Sequence, residues 1–98
     1  MIELHIRRFQ EMMKQLYFQR DSGRGAEKTY EWLMEELEEL KEAFETSDKE
    51  AIEKEFADVI AWLASLANLK GIDLEMAAIN KYNGKCPKCK KSPCHCKF

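Results

Sequence analysis

Two pairs of acidic residues, Glu36 with Glu39 and Glu55 with Asp58, are each spaced three apart, inside a stretch from Glu35 to Val59 that carries eleven acids in 25 positions. On a helix, residues i and i+3 share a flank, so each pair presents two carboxylates side by side. Four carboxylates brought towards one point raise one another's pKa, and the cluster must take up protons or bind cations. Oxygen donors without a nearby histidine suit hard ions such as Mg²⁺ or Mn²⁺. A di-iron carboxylate site is disfavoured, because neither His5 nor His95 follows a glutamate at the spacing such bundles use. The pattern alone also allows a solvated charged surface, with Glu36 and Glu39 paired to Lys28 or Lys41.

A second group lies near the C-terminus, where Cys86, Cys89, Cys94 and Cys96 fall within eleven residues, among Pro87, Pro93 and lysines. Proline excludes a helix there, and so few apolar side chains are present that order has to come from a cross-link or an ion. Paired cysteines at this spacing suit tetrahedral Zn²⁺, with His95 as a substitute donor; disulfides or an unstructured tail are the alternatives.

Amphipathic helices must position the carboxylates. Ile2, Ile6, Phe9, Met13 and Leu16 predict a first helix over about residues 2–20, ended by RDSGRG. Tyr30, Leu33, Leu37, Leu40 and Phe44 form the apolar stripe of a second, starting between Ala26 and Thr29. Ser47 and Glu50 have capping-box spacing before a third helix with Ile52, Phe56, Val59, Leu63 and Leu66, closed by Gly71. Asp73 can cap a short fourth through Met76, Ala77, Ile79 and Lys81. At about 100° per residue, Glu36 and Glu39 lie about 60° and 120° to one side of Leu33, and Glu55 and Asp58 lie at the same phase relative to Ile52. Glu35, Glu38 and Glu42 point to water. The expected fold is therefore all-α, an antiparallel bundle of about four helices, with a body over residues 1–84 and a Cys-rich tail over 85–98. A chain of 98 residues buries a modest core, so completion of the bundle by a homodimer or homotetramer is expected.

Charge sharpens the division. The tail has five lysines and no acid, which leaves −7 on the rest and makes nucleic acid an unlikely partner. No apolar run is long enough to cross a membrane and no signal peptide is evident, so a cytoplasmic location is expected.

The order WLMEELEEL, short turn, EFADVIAWLASLA and GIDLEMAAINKY resembles the MazG-like nucleoside triphosphate pyrophosphohydrolases over about residues 24–83. The resemblance implies an all-helical enzyme that hydrolyses a nucleoside triphosphate to monophosphate and pyrophosphate, with Glu36, Glu39, Glu55 and Asp58 as Mg²⁺ ligands and the general base among the three glutamates. It implies that Lys81 faces the substrate phosphates; the family often has an asparagine two residues earlier, where this chain has Ile79, with Asn80 adjacent to the lysine. Arg24, Lys28 or Arg20 are further candidates for phosphate contact, and Trp32 and Trp62 are candidates to stack on a base or to fill the core. A non-catalytic helical module, using zinc and its apolar faces for protein association, is the alternative.

Overall fold

The computed structural model describes residues 5–97. Four helices follow one another, α1 (Ile6–Arg24), α2 (Ala26–Phe44), α3 (Lys49–Leu69) and α4 (Leu74–Lys81), and no strand occurs among the described residues. Both α1 and α2 pack on α3, and α4 lies against α1. The α2–α3 pair is antiparallel: Trp32 meets Trp62 near one end, while Glu36 and Glu39 converge on Glu55 further along.

The first helix runs four residues beyond the expected end, taking in Asp21, Ser22 and Gly23. Its last turn is held by Arg24, whose guanidinium donates twice to Asp21 Oδ1 at 2.9 and 2.7 Å, so a glycine inside that turn is tolerated. The break comes at Gly25 alone, where φ is 91°, a conformation open to glycine and strained for other residues. Its N–H closes α1 on Asp21 O, and its carbonyl accepts from both the N–H and the hydroxyl of Thr29, starting α2. Ile2 of the expected first stripe lies outside the described residues.

The third helix is capped differently from expectation. Asp48, not Ser47, accepts from a backbone N–H three residues on, that of Ala51 at 3.2 Å. Thr46 Oγ1 accepts from Asp48 N and fixes the approach of the cap. At the other end, Ile72 N bonds Ala67 O and Gly71 N bonds Asn68 O around Gly71 at φ 66°, the paired pattern of a Schellman motif. Asp73 then caps α4 through Met76 N as expected. Its other oxygen, Oδ2, receives Arg7 Nε at 3.0 Å, tying the start of α1 to the start of α4.

The buried interior is small and partly polar. Met13, Leu33, Ala64 and Ala67 supply its apolar part, and Gln10, Asp21, Thr29 and Ser65 are buried beside them. Gln10 acts as a bracket. Its amide donates to Asn68 Oδ1 and Ile72 O, and its Oε1 accepts from Leu74 N, so one side chain joins α1 to the corner between α3 and α4. The stripes expected to form the core are largely open within one chain: Leu16 is 60% exposed, Phe44 57% and Phe56 59%. Small residues on the α3 face allow the three long helices to approach closely, and the larger apolar side chains are left pointing outward.

Candidate metal centre and adjoining cleft

Residues 36 and 39 stand one turn apart on α2, facing residue 55 on α3. One carboxylate oxygen from each of Glu36, Glu39 and Glu55 lies within 4.8 Å of the other two. Glu36 and Glu55 are each half-buried, and the Oε2 of each is closed off from solvent with no hydrogen-bond partner. Burial and hydrogen bonding to Glu39, with the nearby charges of Glu39, Asp58 and Glu55, push the Glu36 carboxyl up to about 7. The Glu55 carboxyl is raised as well, by desolvation and by Glu39, Asp58 and Glu42. Asp58 is outside the set of three converging oxygens, but its charge acts on both glutamates and its side chain lines the cleft alongside.

Such an arrangement is costly for the protein by itself. Buried polar oxygens ordinarily have partners, and anions at this separation repel one another. A divalent cation answers both conditions, because it takes oxygen donors and replaces the missing partners of Glu36 and Glu55. The donor set and the two orphan oxygens thus fit a hard metal ion.

The cleft, about 300 Å³, runs from Asp58 along α3 to α1 and is walled by Tyr17, Arg20, Asp21, Arg24, Trp32 and Trp62. Trp32 and Trp62 meet edge to face with ring centroids 5.2 Å apart. The Arg24 guanidinium covers both indoles, at 4.9 and 4.8 Å from their centroids, while Asp21 grips it from below. Arg24 is therefore a fixed part of the wall, its charge shared between a buried carboxylate and two aromatic faces. Lys28, Asn80 and Lys81 are exposed and do not line this cleft; Lys81 Nζ lies 5.7 Å over its neighbour Tyr82. Asp21 was not singled out from the sequence as a cleft residue; its one signal was the i, i+3 spacing to Arg24 across an apparent loop.

The model of the MazG nucleotide pyrophosphohydrolase domain matches residues 24–90, more than half of the chain. The chain belongs to the MazG family. No protein with a curated description matches it significantly. The matched span takes in all of α2, α3 and α4, hence every carboxylate of the acidic cluster, and continues to the first two cysteines of the tail. Only Arg24 of the α1 side of the cleft falls within it, so this MazG domain meets α1 along a wall outside the matched residues.

The four tail cysteines form a separate cluster in which the sulfurs all lie within 4.8 Å of one another. The Cys89 thiol is drawn down to about 6 by the backbone N–H groups of His95 and Lys91, whereas Cys96 is pushed up to about 11 by its hydrogen bonds to Cys94 and Cys86. No described helix is long and apolar enough to span a membrane.

Proposed function

We propose that the protein is a Mg²⁺-dependent nucleotide pyrophosphohydrolase, cleaving a ribo- or deoxyribonucleoside triphosphate to the monophosphate and pyrophosphate. The observation that carries this reading is the convergence of Glu36, Glu39 and Glu55, two of them with orphaned buried oxygens, at the edge of a cleft walled by aromatic rings. Mg²⁺ or Mn²⁺ bound there would offset the charge of the cluster, polarise phosphoryl oxygens and lower the pKa of an attacking water.

The protein's own groups supply the rest. Most of Glu36, Glu39, Glu55 and Asp58 would hold the ion, and a glutamate of the set left uncoordinated would take the proton of the water. The cleft beside Asp58 matches the size of a nucleobase with its sugar, and Trp32 and Trp62 offer the flat apolar surface a base requires. Arg20 supplies cationic charge on the cleft wall, and Lys81, which the family pattern matches, serves the phosphates, while Asn80 stands one position away from the family's asparagine. Removal of unwanted nucleotides in the cytoplasm is the physiological role that fits.

The test is product analysis on a panel of nucleoside triphosphates in the presence of Mg²⁺, without added metal, and with EDTA. Monophosphate and pyrophosphate in equal amounts, formed only with the metal, are expected. Folded protein that turns over no member of the panel would overturn the reading in favour of a non-catalytic association module, with which the cysteine cluster is compatible.

We also propose a homo-oligomer, a dimer or a dimer of dimers. The apolar stripes of α2 and α3, including Tyr30, Leu37, Phe44, Phe56 and Leu63, are exposed in the single chain, which is more large apolar surface than a monomer of this size usually leaves in water. Sedimentation should give at least twice the chain mass, and Phe56→Lys should lower it. A wild-type monomer at micromolar concentration would contradict this.

A further inference from the structure

The hydrolase reading makes no use of the tail, whose geometry is informative in itself. Cys86 Sγ lies 3.7 Å from Cys96 Sγ and Cys89 Sγ lies 3.9 Å from Cys94 Sγ. A tetrahedron of sulfurs around zinc, with Zn–S about 2.3 Å, has edges of about 3.8 Å. Two disulfides would instead bring the sulfurs of each pair to about 2.05 Å. All four cysteines are free thiols, and each is within reach of the other three.

The backbone is shaped to the same end. Lys90 N bonds Cys86 O at 2.8 Å and Cys86 N bonds Lys91 O at 3.0 Å, which closes a tight loop around Cys86 and Cys89. Lys90 takes φ 64° to complete it, a left-handed conformation that is strained for a side-chain-bearing residue. From the following segment, His95 N–H donates to Cys89 Sγ and Cys96 N–H donates to Cys94 Sγ, both at 3.3 Å. Amide donors aimed at sulfur favour thiolates, the form that binds metal. Lys85, Lys88, Lys90, Lys91 and Lys97, with no acid among them, offset the two net negative charges of a zinc tetrathiolate.

We propose that Cys86, Cys89, Cys94 and Cys96 bind one Zn²⁺ as a closed structural site that folds residues 85–97, separate from the carboxylate centre. Four protein thiolates complete the coordination and leave no position for substrate or water, so the ion is structural. The segment has no helix or strand and a very small apolar complement, and metal binding is the source of its folding free energy.

The experiment measures metal on the full chain and does not depend on turnover. Elemental analysis of protein purified with reductant and without chelator should give one zinc per chain. Replacement by Co²⁺ should give the visible absorption of tetrahedral cobalt with a thiolate charge-transfer band. Both should vanish in the Cys86→Ser, Cys96→Ser double variant. Trypsin reports the structural role: the lysines of the tail should resist cleavage in the zinc form and be cut readily in the double variant, whose body helicity by circular dichroism should be retained. Wild-type protein with less than a tenth of an equivalent of zinc and no cobalt spectrum, or with a mass lowered by two disulfides, would overturn the proposal. Equal trypsin sensitivity of the zinc form and the double variant would overturn the structural role.

Discussion

Glu55→Gln is expected to lower metal-dependent turnover by at least about 100-fold while making the metal-free protein more resistant to heat. The two effects have one origin. Glu55 places a buried oxygen without a partner among Glu39, Asp58 and Glu42, all of which oppose its ionisation. An amide of the same shape removes the repulsion and provides a donor for the neighbouring carboxylates, so the empty site is relieved. It also removes an anionic ligand. Glu36 gives the corresponding pH dependence: its carboxyl stands at about 7 when folded against 4.5 ordinarily, so the folded state binds its proton more tightly than the unfolded chain. By linkage, metal-free stability falls as pH rises from about 4.5 through about 7, and is lowest where Glu36 is ionised. Mg²⁺ should reverse that loss above neutrality, by about 2.7 kcal/mol at a hundred times its dissociation constant. Thermal melts across this pH range, with and without Mg²⁺, check all of this: Glu36→Gln should flatten the metal-free profile. A wild-type profile already flat, or full Mg²⁺ stabilisation retained in Glu55→Gln, would remove the physical basis for the metal centre.

The acidic centre was legible because its geometry is local. Spacing of three within α2 and within α3, at a common phase against Leu33 and Ile52, determines which carboxylates share a flank, and a short connection makes the helices antiparallel neighbours. Boundaries were less legible. RDSGRG has the composition of a loop, yet its Asp and Arg fall at i, i+3 and carry the helix on to Gly25, so a local side-chain pair, with Arg24 packed over Trp32 and Trp62, overrode the loop composition. Ser47 and Asp48 were competing caps one residue apart, and only the backbone turn at Thr46 selects the aspartate. Periodicity also identified apolar stripes without saying what they pack against. Within one chain the close contacts fall to Thr29, Ala64, Ser65 and Ala67, while Phe44 and Phe56 stay exposed. The cleft was the least legible part, because its walls come from residues as far apart as Met13 and Ser65 and no pattern in one segment announces their meeting.

The largest loss of stability is expected from Arg24→Ala, at about 3 kcal/mol, a substantial share of what holds a domain of this size together. Asp21 is 1% exposed, and its Oδ2 already lacks a partner; Arg24 supplies both of the hydrogen bonds that Oδ1 receives from side chains. Truncating the arginine leaves the whole carboxylate buried and unpaired, which is the expensive way to break such a contact. It also uncovers the indoles of Trp32 and Trp62 and loosens the last turn of α1 at its junction with α2. Removing Asp21 as well should recover part of the loss, because the penalty belongs mainly to the stranded carboxylate, and a double-mutant cycle by denaturant melts isolates the coupling. Additive losses would mean that Arg24 acts through its packing on the tryptophans alone. Strong coupling would instead make the Asp21–Arg24 pair the internal brace that sets the α1 wall of the cleft against the helices carrying the carboxylates, and so fixes the distance between the aromatic surface and the metal centre.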